Sequence, residues 1–355
     1  MIVDDLIRHP AAWLAAGGEA GAVVSSRIRL ARNLRSAAFP GWAGEEECEK
    51  IWQKLRELLQ AAPTLAGSYA IGMDELELLD RQLLFERRLI SREHAGKGRG
   101  SGLVGTPDER LAVMVNEEDH LRMQVIRPGL DLREAWSVMN AMDDELGSRV
   151  DYAFSPRLGY LTACPSNVGT GLRASVMLHL PGLVLMNEMD PVIKGVTKIG
   201  MAVRGLWGEG TEAVGNMFQV SNQISLGEKE EEIVHSLEQI VLEIVEHEKN
   251  ARARLRDRKE AILRDHVGRS RGILENAHIL TSKEALDLLS GLRLGLEMSI
   301  LKCVDRRLLD ELLVLTQPAH LQKREGRKLK PRHRDLARAQ RVRQVLAEAG
   351  VKPVE

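Results

Sequence analysis

Aromatic side chains are scarce, at 3% of the 355 residues, so the chain has few platforms on which bases of a nucleic acid could stack. The formal net charge is only -1, so no global field draws the protein to nucleic acid or to an anionic membrane. Cysteine is nearly absent. Cys48, Cys164 and Cys303 lie far apart with no CxxC pair among them, which argues against both a zinc knuckle and a disulfide framework. An odd cysteine count fits a reducing cytoplasm. The start, MIVDDLIRHPAAW, lacks the basic stretch and apolar run of a secretory leader. No apolar run approaches the ~18 residues that span a bilayer.

What is present is ordinary for a soluble globular protein: 44% apolar and 28% charged residues. The length suits two domains. Glu45 to Leu59 reads as a helix, with Ile51, Leu55, Leu58 and Leu59 on one face. Leu76 to Ile90 and Leu132 to Leu146 read as two more. RLAVMVN, HLRMQVIR, DYAFS, GYLTAC, RASVMLHL, AVRGLW and NMFQVSNQI have strand character. Strands and helices interleave without a βαβ rhythm, which favours a mixed, mostly antiparallel sheet with helices in the α+β class. Beyond Glu228 only helical spacing remains, rich in Leu and Arg, and a domain boundary is expected near residue 255, giving 1–254 and 255–355.

Two patterns mislead. Gly100, Gly102 and Gly105 spell GxGxxG, but a dinucleotide fingerprint must follow a strand and open a helix. Here a helix precedes the glycines and Thr106-Pro107 follows them, so HAGKGRGSGLVG is expected to be a flexible loop. His333-Arg334-Asp335-Leu336 imitates a protein-kinase catalytic loop, yet Gln340 stands where Asn is required and no Asp-Phe-Gly follows. No GxxxxGK[ST] run exists either.

Chemistry is concentrated in separate segments rich in arginine and acid: SSRIR, NEEDHLR, CPSNVGTGLRASV and RGLWGEGTEAVG. An arginine among apolar neighbours at a strand end is costly unless it meets an anion. Any one of them alone can be satisfied by a local carboxylate. Together, and in this order, they resemble the ATP:guanido phosphotransferases, the family of arginine kinase and creatine kinase. The match covers roughly residues 22–255.

The resemblance implies a phosphagen-kinase-like catalytic domain, with a saddle-shaped antiparallel sheet flanked by helices, followed by an all-helical C-terminal domain. It implies that ATP is bound by Ser25, Ser26, Arg27, Ile28 and Arg29, by Arg122, by Arg173, Ala174, Ser175, Val176 and Met177, and by Arg204, Gly205, Leu206, Trp207, Gly208 and Glu209. Arginine forks suit phosphate, and phosphoryl transfer is mostly positioning and charge stabilisation. Mg2+ is expected on the ATP phosphates, with no metal ligands from the protein. Guanidinium is a poor nucleophile because its pKa lies above ~12. Glu118 and Glu209 match the family's two carboxylates, which hold the cation and take its proton, and Cys164 would lie beside it.

Departures matter. Phosphagen kinases carry a His where Met177 stands, so the adenine contact is expected to differ. They also carry a helical domain before SSRxR, whereas SSRIR begins here at Ser25; an open site able to admit an arginine on a protein surface is expected. The arrangement is similar to that of bacterial protein-arginine kinases. That implies protein substrates bearing exposed arginines, a zinc-binding activator protein, a Clp-type protease, a homodimer through the C-terminal helices, and a cytoplasmic location. It also implies a phosphoarginine pocket at Arg334, Asp335, Arg338 and Ala339. Asp335 and Arg338 share a helix face at i and i+3, an arrangement that also suits a plain solvated ion pair.

Overall fold

Local spacing sets most elements. In the computed structural model, which describes residues 2–14, 21–206, 213–302, 305–350 and 352–353, the strands are β1 (Val23–Arg32), β2 (Tyr69–Gly72), β3 (Gly102–Gly105), β4 (Leu111–Val115), β5 (Leu121–Pro128), β6 (Phe154–Ser155), β7 (Gly159–Tyr160), β8 (Leu172–His179), β9 (Met201–Gly205), β10 (Met217–Asn222), β11 (Leu301–Lys302) and β12 (Lys352–Pro353). Eight of them form one sheet in the order β2-β3-β4-β5-β1-β8-β10-β9. The pairs β2/β3, β3/β4, β4/β5 and β1/β5 are antiparallel. The expected α+β architecture, an antiparallel sheet flanked by helices with a helical C-terminal region, is what the chain adopts.

The chain divides into two compact units that interleave in sequence. One holds Met1–Trp13, Ser25–Val176 and Ser221–Gln239; the other holds Leu14–Val24, Met177–Val220 and Ile240–Glu355. In the first unit, β1 and β5 divide their faces by strand alternation. Ile28 and Leu30 of β1, with Leu121, Met123 and Val125 of β5, are buried on one face. The helix Leu132–Gly147 packs on β5 and buries Leu132, Ala135, Met139, Met142 and Leu146. The opposite face carries Arg27 and Arg29, which alternate with Ile28 and Leu30, and Arg122, which pairs with Ala31. Pairing register therefore gathers three cations on one face.

The helix Glu45–Gln60 forms as expected and buries Ile51, Leu55 and Leu59, together with Trp52. The helix expected at Leu76 to Ile90 is shorter, Leu78–Glu86. Leu76 is extended, and Arg88 takes a left-handed φ of 64° that stops the helix. The glycine-rich loop is a correction: its last four residues are β3, an interior strand. A Cβ on Gly102 would lie 2.3 Å from the Trp52 ring, and one on Gly105 would lie 2.8 Å from the Tyr69 hydroxyl. These glycines admit rings against the sheet. DYAFS and GYLTAC shrink to the separate β6/β7 pair.

In the second unit the helices Ser282–Glu297, Arg306–Leu315, Pro318–Arg324 and Pro331–Ala349 follow two others. The helix Glu230–Arg258 passes through residue 254 without a break, and the next spans Glu260–Asn276. The β11/β12 pair is a small exception to the helical C-terminal region. Among the described residues no helix is long and apolar enough to cross a membrane.

Candidate active site

The hairpin turn between β4 and β5 is Asn116 to His120, and it is fastened on every side. Asn116, at φ 56°, donates from Nδ2 to Cys48 O (2.9 Å) and Gly100 O (2.7 Å). Asp119 accepts from Asn33 Nδ2 (2.5 Å) and from Ala163 N (2.7 Å). His120 Nδ1 accepts from Leu34 N at 3.1 Å. Its Nε2 therefore carries the proton and donates to Ala38 O at 3.1 Å.

That framework splits the two glutamates. Glu117 is buried, at 1% exposure. Its Oε1 accepts from Ser91 Oγ (2.5 Å), and its Oε2 accepts from Arg122 Nη1 (2.6 Å) and Glu118 N (3.2 Å). Burial pushes its pKa up, but Arg122 and these hydrogen bonds outweigh burial and hold it below the usual glutamate value. Glu118 points outward. Its Oε1 accepts from Asn167 Nδ2 at 3.3 Å and lies 3.6 Å from Arg122 Nη1. Burial raises its pKa against the pull of Arg122, and Glu117, Asp119 and Glu93 add to the rise. An exposed carboxylate with a raised pKa is a better proton acceptor than an ordinary one.

The sequence places Arg27 and Arg29, Arg122, and Arg173 in three separate segments, and the structure brings them together. Arg27 is pushed down to about 10, by burial first and then by Arg122 and Arg173. Arg29 falls well below the usual arginine range through burial, Arg27, Arg122 and Arg173, which Glu117 only partly opposes. Its Nε is buried without a hydrogen-bond partner among the described residues. Arg122 goes the other way: burial lowers it, but Glu117, Glu118 and Asp119 together raise it. Two guanidiniums lowered by their arginine neighbours form an arrangement an anion would relieve. Arg88 joins their edge. Burial and then Arg27 lower it to about 9, and its guanidinium lies 4.1 Å from the centre of the buried Trp13 ring.

Ser26 belongs to the scaffold. Its Oγ donates to Gly129 O (2.8 Å) and accepts from Asp131 N (2.9 Å). Ser25 and Ile28 are buried, as are Ala174, Ser175, Val176 and Met177. Asn222 of β10 brackets Arg173: its Oδ1 accepts from Ala174 N (2.9 Å) and its Nδ2 donates to Leu172 O (3.0 Å). Cys164 is a free, half-buried thiol with Sγ 3.1 Å from Ser166 Oγ. Its loop is tied to the hairpin through Ala163 N on Asp119 and Asn167 on Glu118.

Met177, Arg204, Gly205 and Leu206 belong to the second unit, where Arg204 is exposed and Gly205 and Leu206 are buried. Trp207, Gly208 and Glu209 lie outside the described residues. In the helix Pro331–Ala349, Arg338 is 1% exposed. It donates from Nε to Thr316 O (2.7 Å) and from Nη1 to Leu280 O (2.7 Å) and Asp335 Oδ1 (2.6 Å). Arg334 reaches Leu329 O at 3.4 Å, and Ala339 is buried.

Sequence reasoning named Glu117 only as part of a segment and missed Ser91, Arg88, Asn167 and Asn222. A serine before a helical turn is a weak cap signal. Nothing in the sequence distinguishes an asparagine that brackets a strand from any other.

Residues 50–251 match the family model described as ATP:guanido phosphotransferase, C-terminal catalytic domain. Residues 260–354 match Protein-arginine kinase McsB C-terminal domain. A protein-arginine kinase from Moorella thermoacetica is 47% identical over 339 residues, 94% of this chain and 97% of the relative. One from Halothermothrix orenii is 45% identical over 345 residues, 97% of this chain and 99% of the relative. Among solved structures, the duplicated taurocyamine kinase from Schistosoma mansoni with bound transition state analog components superposes with a TM-score of 0.60 at 24% identity, over 69% of this chain and 35% of that chain. Lombricine kinase gives 0.58 at 23% identity, over 70% and 71%. At these identities the two structures speak for the fold.

Proposed function

The chain belongs to the ATP:guanido phosphotransferase family, and from that premise we propose that it is a protein-arginine kinase, transferring the γ-phosphoryl group of ATP to a guanidino nitrogen of arginine residues in proteins. The observation that carries this reading is a sheet face where Arg27 and Arg29 lie close enough to Arg122 and Arg173 to be lowered by them, beside an outward carboxylate, Glu118.

The arginines meet the phosphates, where their charge is offset and the charge of the equatorial oxygens is stabilised during transfer. Arg204 joins them in this reading. Glu118, with Glu209, holds the acceptor guanidinium and takes its proton. The freed nitrogen pair forms the N–P bond as the bond to the ADP oxygen breaks. Cys164 lies beside the guanidinium. Mg2+ would come to this site on the ATP phosphates. It would neutralise phosphate charge when bound. Residues 1–254 act as the catalytic domain and 255–355 as the regulatory one, which also provides a dimer contact. A zinc-binding activator, a Clp-type protease and a cytoplasmic setting complete the picture. At the second site, the half-buried Asp335 is the acceptor for the guanidino end of a phosphoarginine, and Arg334 and Arg338 are the cations for its phosphate; Arg338, which also bonds two carbonyls, holds Asp335 in place.

The test is incubation with MgATP and a basic protein, followed by mass spectrometry that preserves acid-labile N-phosphate. Phosphoarginine in the protein is expected, with little on free arginine, and Glu118→Ala is expected to retain less than about a tenth of the turnover. Label on free arginine alone would make the chain a phosphagen kinase.

A further inference from the structure

Ser91 stands just before the short helix Arg92–Ala95, and its hydroxyl serves two partners. Oγ accepts from His94 N at 3.0 Å and lies 2.5 Å from Glu117 Oε1. A hydroxyl has one proton. With His94 N taking a lone pair, that proton goes to Glu117. The other Glu117 oxygen takes Arg122 Nη1 at 2.6 Å. The segment is rigid on its own side. His94 is fully buried and donates from Nε2 to Gly102 O at 3.0 Å, and Ser91 N points at Met114 Sδ from 3.3 Å.

We propose that Ser91 is a positioning residue for phosphoryl transfer: by fixing the Glu117 carboxylate it fixes the guanidinium of Arg122 against the nucleotide phosphates. Ser91 itself touches no substrate. Glu117 is sealed from solvent, so no water replaces a lost donor. A carboxylate held at one oxygen only is free to rotate, and Arg122 rotates with it. Arg122 also lies within reach of Glu118 (3.6 Å), so a loosened Arg122 has a competing partner in the acceptor-holding carboxylate. The charged and titratable groups facing Glu117 are Arg122, Glu118 and Asp119 from its own hairpin, His94 from the Ser91 segment, and Arg29 from β1.

This inference rests on the kinase reading above, and its test separates the two. Three variants of the full chain are compared with wild type: Ser91→Ala, Ser91→Thr and Ser91→Asp. Ala removes both hydrogen bonds. Thr keeps both. Asp keeps the acceptor for His94 N but offers Glu117 a second negative charge. Turnover against a protein substrate and MgATP affinity are each measured from pH 5 to 9. Ser91→Ala is expected to lower kcat about tenfold with KM for the protein substrate little changed, as for loss of a hydrogen bond to a charged group. Its acid limb moves to higher pH, because a carboxylate that loses a donor binds a proton more readily. Ser91→Thr stays within about threefold of wild type, and Ser91→Asp falls at least as far as Ala. A role in capping alone gives a different result: Asp behaves like wild type and no pH limb moves. That outcome, or an unchanged Ser91→Ala, overturns the proposal. A wild-type chain that phosphorylates nothing overturns the kinase reading instead, and the pH dependence of MgATP affinity then decides the Ser91 relay.

Discussion

Two groups of arginines in this protein are built from the same residue type and behave oppositely. In the second unit, Arg293 is buried at 1% exposure and meets Asp310 (3.0 Å), Glu297 (3.1 Å) and Gly21 O (3.1 Å). Arg252 beside it bonds Glu248 (2.6 Å) and Glu297 (2.7 Å). Burial lowers Arg252, but Glu297 and Glu248 raise it further. In the first unit, Arg27 and Arg29 are half-buried on a sheet face, and the neighbours that shift them most after burial are other arginines. The first arrangement holds a fold together. The second is the one that meets the nucleotide in the reaction proposed above. A buried ion pair broken on one side strands a charge, whereas removing one member of a like-charged crowd relieves its neighbours.

The comparison can be broken most sharply by deleting one member of each group. Arg173→Ala is expected to lower phosphoryl transfer by about 10²–10³-fold while the thermal midpoint stays level or rises. Arg293→Ala is expected to cost about 3–5 kcal/mol of stability, read from denaturant unfolding, with any activity loss following the folded fraction. If Arg173→Ala destabilises the protein as much as Arg293→Ala does, the two groups are not different in kind.

Ligand protection is the next measure. ATP at a hundred times its Kd stabilises a protein that binds it only when folded by about 2.7 kcal/mol. That rise in melting temperature should shrink in Arg173→Ala and persist in variants of the second unit that still fold, such as Arg252→Lys. Equal protection in all of them would remove the cluster from nucleotide binding.

A smaller effect concerns pH, since each unit also holds buried imidazoles, His94 among those of the first and His179 among those of the second. His94 is lowered to about 4 by burial, against the opposing pull of Glu117, and His179 is lowered by burial and then by Arg293, Arg252 and Arg306. Between pH 6.5 and about 4 the unfolded chain binds a proton at His94 that the folded chain refuses. The His94 contribution is therefore complete above its unfolded pKa and is lost as pH falls through this window, by roughly 3 kcal/mol in all. Unfolding curves across pH 4–7 should show it, and His94→Gln should flatten that slope. An identical slope in the variant would rule out His94 as a source of the acid sensitivity.

Much of this was legible because spacing and residue chemistry agree. The helices at Glu45 and Leu132 follow from apolar periodicity, and the strands around Arg122 and Arg173 follow from alternation. The arginine cluster was visible only through resemblance, since no spacing rule tells β1 that it lies next to β5. Two misreadings share a cause. Glycine suggested a loop at 94–105, but Gly102 is small because Trp52 occupies the space its side chain would need. Leu76 to Ile90 kept an apolar rhythm past its true helix because Arg88 takes a conformation that composition does not announce. Ser91 and Asn222 act through hydrogen bonds to residues 26 and 48–50 positions away, a distance at which local patterns are silent.

Arg88 lies over the Trp13 ring at 4.1 Å from its centre, and its charge feels that of Arg27. An indole is a chromophore whose emission depends on the electric field across its ring, and here a guanidinium from the edge of the cluster sets that field. If phosphate binds as proposed and draws the arginines toward itself, the field on Trp13 changes. Trp13 would thus serve as an optical gauge of the cluster's charge balance once the other four tryptophans are replaced, on a ring outside the residues assigned to nucleotide and acceptor in the proposed reaction.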